Sequence, residues 1–413
     1  MYDRDTMTVI FSRGSRALAS AMGAVVVAAS LPAVALAEPP IGSRVPDLRL
    51  ETLRRDGAGY IVTGDDGGRV QLTLDPLLQE PIEDVLRGFQ IPYGGAVVVS
   101  IPDGRVLAMV GRSAAEPRLG PRELALGAWA PAASVFKVVS AAALVWQGGV
   151  SGATKVCYHG GVSAILPDNL IDLPIADRRC ETLAYGLGKS QNAILAKLAS
   201  RHLTAAQLAR VGHAFGFEET IPFDVPVEPS HLDVPADALE FARTAAGFWH
   251  STLSPLHGAL LAAAIANHGE MPAPTLVERV FDARGREVSI PVTAGGPRRV
   301  VPVDTAREVG HMMELTTRIG TARAAFHDRH GHPYLPVDVA GKTGTLSAQT
   351  AKGYLGYSWF IGYAPALHPT IAFAVVLGNP AQWRIKATYV ARRIVAEHLA
   401  RQAAPPGRML ATR

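Results

Sequence analysis

Charge is scarce in this sequence. Asp, Glu, Lys and Arg supply 18% of its 413 residues, the two signs nearly cancel, and the formal net charge is +4. With 48% hydrophobic residues, such a chain can bury a substantial core and is not globally disordered. No dense Lys/Arg patch interleaved with aromatics is present, which argues against a nucleic-acid partner. Cysteine is scarcer still: there are two, Cys157 and Cys180. After Ala37 no apolar run reaches bilayer-spanning length, and no internal repeat is apparent.

Two further absences narrow the chemistry. Gly188-Lys189-Ser190 ends like a phosphate-binding loop, but that loop needs a glycine where Leu183 stands, so no nucleotide site is read there. His327, His330 and His332 cluster like metal ligands, yet no framework of Cys or carboxylate surrounds them. They read as a solvated loop, and neither metal nor cofactor is expected.

What is present begins with an export pattern. Arg4, Arg13 and Arg16 precede an uncharged stretch, Ala17 to Ala37, which closes on Ala35-Leu36-Ala37. A basic region, an apolar region and a small-x-small ending make residues 1–37 a signal peptide. The stretch 17–37 is also long enough to serve as an uncleaved membrane anchor. Either reading places the body of the protein outside the cytoplasm, in the periplasm or its equivalent. An even cysteine count in an exported chain favours one disulfide, Cys157 to Cys180. It would close a loop of about 23 residues and contribute about 3 kcal/mol in the chain-entropy picture.

Residues 38–70 are rich in Gly, Asp and Arg and read as a short connector, with a strand-like piece at Tyr60-Ile61-Val62. Gln71 to Asp75 reads as a strand, and Pro76 opens a helix to about Arg87. Gly95 to Ile101 and Arg105 to Val110 flank the turn Pro102-Asp103-Gly104 and form a buried hairpin. Helical spacing marks Ala193 to Ala199, Ala205 to Phe215 and Leu256 to Asn267. Strands return at Trp359 to Tyr363 and Thr370 to Leu377, while Leu346 to Tyr357 reads as a loop. A last amphipathic helix covers about Gln382 to Leu399, and residues 403–413 read as a flexible tail. Strands early and late with helices between imply an α+β fold. Its antiparallel sheet is built from both ends of the domain, with helices packed on its faces and a mostly helical insertion.

Three short motifs carry chemistry. Ser134-Val135-Phe136-Lys137 puts a hydroxyl and an amine three residues apart, on one helical face, where the amine can activate the hydroxyl as a nucleophile. Ser190-Gln191-Asn192 and Lys342-Thr343-Gly344 follow in that order. The set resembles that of penicillin-binding proteins and β-lactamases. Gly95 to Val110, Pro131 to Leu144, Ser254 to Gly269, Val339 to Thr345 and Ser358 to Pro365 extend the resemblance to the transpeptidase domain of penicillin-binding proteins, over residues 71–402.

The resemblance implies a serine D,D-transpeptidase that cross-links cell-wall peptidoglycan. Ser134 would attack the D-Ala-D-Ala amide of a stem peptide and form an acyl-enzyme. Lys137, neutral through burial and the second cation Lys342, would be the base. Ser190 would relay a proton, and Asn192 would hold Lys137 and the substrate amide. Thr343 and Thr345 would bind the substrate carboxylate, and Gly344 would let the strand approach substrate closely. The oxyanion hole would be the backbone N–H groups of Ser134 and Thr345. Penicillin and other β-lactams would bind covalently, and the implied partners are peptidoglycan stem peptides and other cell-wall synthesis proteins. A D,D-carboxypeptidase, a non-catalytic penicillin sensor or scaffold, and a β-lactamase are the alternatives. The last lacks its Glu-x-x-Leu-Asn; Glu228 stands at a tempting distance but reads Glu-Pro-Ser-His-Leu-Asp. The 33 residues between export pattern and domain leave no room for a glycosyltransferase domain, which suggests a stand-alone form.

Overall fold

Tyr93–Ser100 and Ile371–Asn379 are buried at every position, so their β-branched runs can only be strands covered on both faces. They pair with each other, antiparallel, at the middle of a five-stranded sheet. Its order is Ala340–Thr350, Gly353–Ala364, Ile371–Asn379, Tyr93–Ser100, Val106–Arg112. The sheet is thus made from the two ends of the domain, as the hairpins implied. The structure, a computed structural model, describes residues 48–403 apart from 58, 65–66, 290–294 and 351–352. The export segment 1–37 and the tail from 404 onward lie outside the described residues.

The period of two divides the sheet's side chains between two cores. Val98, Ala108, Phe360, Phe373 and Val375 face one, where Ile82 and Leu86 of helix Pro76–Gly88 meet Val390, Ile394 and Val395 of helix Ala387–Ala403. Val97, Val99, Ile361 and Ala374 face the other. There the helix Pro255–Ala266 is buried on all sides, as an Ala/Leu sequence without a polar stripe requires. Asp75 caps the first helix through Leu77 N–H, with Pro76 at the first position.

Boundaries differ where polar surface governs. Gln71–Asp75 is not one strand: the strand is Arg69–Leu72, and Asp75 turns away to cap. The connector is also more than a connector. Arg54–Asp56, Gly59–Thr63 and Arg69–Leu72 build a second sheet with Val277–Phe281 and Glu287–Val288. The described residues of 346–357 do not form a loop: 346–350 and 353–357 belong to strands Ala340–Thr350 and Gly353–Ala364, alternately exposed and half-buried from Leu346 to Thr350. The last helix starts at Ala387 rather than Gln382.

Cys157 and Cys180 face each other across Lys155–Tyr158 and Arg179–Thr182 and are joined by a disulfide.

Candidate active site

The Ser134 segment is a 3-10 turn, Ala133–Phe136, that runs into the helix Lys137–Trp146. In a 3-10 turn residues i and i+3 eclipse, and Lys137 Nζ lies 2.6 Å from Ser134 Oγ. Ala133, just before the serine, has φ 51°, a left-handed conformation that non-glycine residues adopt at a cost. Gly247 holds it there. It has φ +79°, and a Cβ on it would sit 2.5 Å from Ala133 O and 3.0 Å from Ser134 Cα. Only glycine lets that turn back the serine so closely.

Ser190 follows the helix Leu183–Gly188 and has φ 57°. Asn192 opens the helix Asn192–His202. Asn192 Oδ1 is 2.7 Å and Ser190 Oγ 3.4 Å from Lys137 Nζ. Lys342 enters from the strand Ala340–Thr350, an edge of the sheet, and its Nζ is 2.8 Å from Ser190 Oγ and 2.8 Å from Thr343 O. The structure therefore brings Ser134, Lys137, Ser190, Asn192 and Lys342 into one hydrogen-bonded cluster.

Both lysines are wholly buried, at 0% exposure. Burial lowers the Lys137 amine well below its usual range, and the neighbouring Lys342 charge lowers it further. Burial alone lowers Lys342 to about 7. Lys137 Nζ has donor geometry to Asn192 Oδ1, Ser190 Oγ and Ser134 Oγ; once the amine is neutral, its lone pair can instead accept from the Ser134 hydroxyl.

Thr343 and Thr345 lie two residues apart on the edge strand, and Thr345 is exposed. Gly344, between them, is closely packed. A Cβ there would meet Trp359 Cβ at 3.0 Å, Val135 Cγ2 at 3.1 Å and Ala133 Cβ at 3.3 Å. Its missing side chain thus seats the edge strand against the Ser134 turn.

The sequence reading missed Thr321. Its Oγ1 is 2.5 Å from Thr343 Oγ1, and its N–H donates to Gly188 O at 3.1 Å. Lys189 Nζ donates to Ile319 O from the other side. The segment 319–321 thus straps the Ser190 turn to the edge strand. Gly320 permits the close approach: a Cβ on it would lie 2.0 Å from Gly188 O. Of the lures, Glu228 is tied to Ala128 N–H at 3.0 Å, in a bond network separate from Lys137. His332 pairs with Asp328 at 3.1 Å on the surface.

Residues 94–400 match the penicillin binding protein transpeptidase domain. The chain is 28% identical over 362 residues to peptidoglycan D,D-transpeptidase PbpA of Mycobacterium tuberculosis, covering 79% of this chain and 70% of that protein. It is 23% identical to stage V sporulation protein D of Bacillus subtilis over 76% of this chain and 50% of that one. Among solved structures, the D,D-transpeptidase domain of a peptidoglycan glycosyltransferase from Eggerthella lenta superposes with a TM-score of 0.64 at 24% identity, covering 87% of this chain and 92% of that one. Penicillin-binding protein A from M. tuberculosis, solved as an imipenem acyl-enzyme complex, gives 0.61 at 24% identity, covering 80% and 79%. These likenesses establish a shared fold.

Proposed function

The chain belongs to the penicillin binding protein transpeptidase family, and from that premise we propose that it is a serine D,D-transpeptidase acting on peptidoglycan stem peptides through an acyl-enzyme on Ser134. The observation that carries the reading is the buried Lys137 amine 2.6 Å from Ser134 Oγ, with Lys342 adding its charge. Burial and the second cation both favour the neutral amine, the form that can accept the serine proton.

In this mechanism Ser134 Oγ attacks the carbonyl of the penultimate D-Ala as Lys137 Nζ takes its proton. The carbonyl π electrons move to oxygen, and that oxyanion sits at the N–H groups of Ser134 and Thr345. Thr343 O accepts from Lys342, so the Thr343 peptide faces the open edge of the sheet. Thr345, two residues on, shares that orientation, which supports its N–H as a donor. Collapse breaks the C–N bond. The proton passes from Lys137 through Ser190 to the leaving D-Ala nitrogen, leaving an ester on Ser134. An acceptor amine then attacks the ester by the reverse sequence. The terminal carboxylate would rest against Thr343, Thr345 and the Lys342 charge. Loss of one oxyanion donor costs on the order of 3 kcal/mol of barrier.

A β-lactam would acylate Ser134 by the same route, as in the M. tuberculosis relative captured with imipenem. The catalytic domain in this reading spans 71–402, behind an export segment or anchor at 1–37, and the protein works outside the cytoplasm, where its disulfide persists. No helix among the described residues is long and apolar enough to cross a membrane.

The test is labelling of the purified protein by a fluorescent penicillin, followed by product analysis with a cross-linkable muropeptide. Labelling abolished by Ser134→Ala, with D-Ala release and dimer formation, is expected. D-Ala release without dimers would make it a carboxypeptidase, and labelling without turnover a sensor. Lys137→Ala should lower acylation by about 10²–10⁴-fold while the protein stays folded.

A further inference from the structure

The helix that begins at Asn192 carries another buried amine, which the chemistry above does not use. Lys197 is 0% exposed. Its Nζ donates to Asp177 Oδ2 at 2.6 Å and Cys157 O at 2.9 Å, and lies 3.1 Å from Asp172 Oδ1. Asp177, also buried, accepts from Leu173 N–H at 3.0 Å and pairs with His159 Nδ1 at 2.6 Å. Asn169 donates to His159 O at 3.1 Å and accepts from Leu166 N–H at 2.9 Å. All of these partners belong to one stretch, 157–180, whose ends the disulfide joins.

That loop is pressed onto the first turn of the same helix. Gly161 has φ +71°, and a Cβ on it would lie 2.6 Å from Ala193 Cβ. One residue on, the Val162 carbonyl accepts from Asn192 Nδ2 at 3.0 Å. A carbonyl is an acceptor only, so this contact decides which end of the Asn192 carboxamide faces it. The other end, Oδ1, is then the one at Lys137. Turned around, the carboxamide would set two N–H donors against the amine and compete with the Ser134 hydroxyl for its lone pair.

We propose that the disulfide-closed loop 157–180, fixed on the helix by Lys197, Asp177 and His159, is the positioning element that orients Asn192 for acylation. The inference rests on the reading of Lys137 as the base for Ser134. Lys197, Asp177 and His159 are positioning residues: they act on Ser134 chemistry only through the Val162 carbonyl and the Asn192 carboxamide. The disulfide acts with them by limiting how far the loop can lift from the helix.

The experiment measures the second-order rate of acylation by a fluorescent penicillin on the full chain. Asp177→Asn and the pair Cys157→Ser with Cys180→Ser are each made in the wild-type background and in an Asn192→Ala background, with thermal unfolding as the check on folding. In the wild-type background each should slow acylation by about 10- to 100-fold, the scale of a small misplacement near reacting groups. In the Asn192→Ala background neither should slow it further, because the residue they orient is gone. A wild-type rate in both variants overturns the proposal. So does an equal loss with and without Asn192, which would mark general loosening of the fold. If Asp177→Asn does not fold, His159→Ala, whose ring is a quarter exposed, takes its place with the same two outcomes. An unlabelled wild-type protein overturns the acyl-enzyme reading as well, whereas a labelled wild type with indifferent variants overturns only the positioning.

Discussion

Lys137 and Lys342 are two wholly buried amines that share one neighbour, the Ser190 hydroxyl, at 3.4 Å from the first and 2.8 Å from the second. The Lys342 charge bears on the protonation of Lys137, while burial governs Lys342 itself.

In the proposed mechanism the two have opposite tasks, from which a pH dependence of acylation follows. Lys137 works neutral, so the rate rises with pH as it loses its proton, well below the usual lysine range. Lys342 works charged, so the rate falls as pH passes about 7. The expected profile of acylation rate, followed between about pH 4 and 10, is a bell with its descending limb near neutrality. Lys342→Met should remove that limb and move the ascending one to higher pH, because Lys137 would lose the cation that lowers it. A rising limb unmoved in the variant would uncouple the two amines.

Stability should carry the same signature. Lys342 is lowered to about 7 when folded but titrates near 10.4 when unfolded. Between those values the unfolded chain binds more protons, so stability rises with pH across that window. Below it both states are protonated, and the whole cost of a buried cation is present. Lys342→Met should therefore stabilise the protein at pH 6, by up to a few kcal/mol, and make its stability rise less steeply between about pH 7 and 10, the remaining slope coming from Lys137. Denaturant unfolding at several pH values checks this.

Thr321→Val removes the hydroxyl that meets Thr343 at 2.5 Å. One hydrogen bond contributes about 0.5–1.5 kcal/mol, so KM for a D-Ala-D-Ala peptide should rise about 2- to 10-fold with kcat nearly unchanged. A fall in kcat at constant KM would show that the strap serves the Ser190 turn rather than the carboxylate.

Gly247→Ala would combine an unfavourable φ with a Cβ 2.5 Å from Ala133 O. Overpacking of this kind costs about 1–3 kcal/mol. The displaced atoms belong to the turn that carries Ser134, so acylation should fall along with the melting temperature. Unchanged acylation in a destabilised variant would separate the turn at 247 from the serine.

The motifs were readable because their chemistry needs particular side chains at short spacing: Ser134 with Lys137, Ser190 with Asn192, Lys342 with its strand. The central sheet was readable because strands buried on both faces are continuously apolar, as Ala96 to Val99 and Ile371 to Leu377 are. The second sheet was not. Val70 pairs with Val280, far along the chain, and its strands are short and half polar, so no local pattern announces them. The hairpin past Thr345 hid for a related reason: the exposed positions of its first strand there are Ser347 and Gln349, which resemble loop residues. Thr321 and Gly247 were silent because one hydroxyl or one glycine in a connection means nothing until its neighbour in space is known.

The sheet's composition from distant segments also sets when the chemistry can exist. Ser134 follows the first strands along the chain, whereas Lys342 arrives on a strand that joins their sheet only through Gly353–Ala364 and Ile371–Asn379. Such long-range pairing forms late and slowly. A chain that has not yet paired these strands has Ser134 and Lys137 in sequence but lacks the cation that primes them in the proposed mechanism. Reactivity is thus a property conferred by the last strands to arrive.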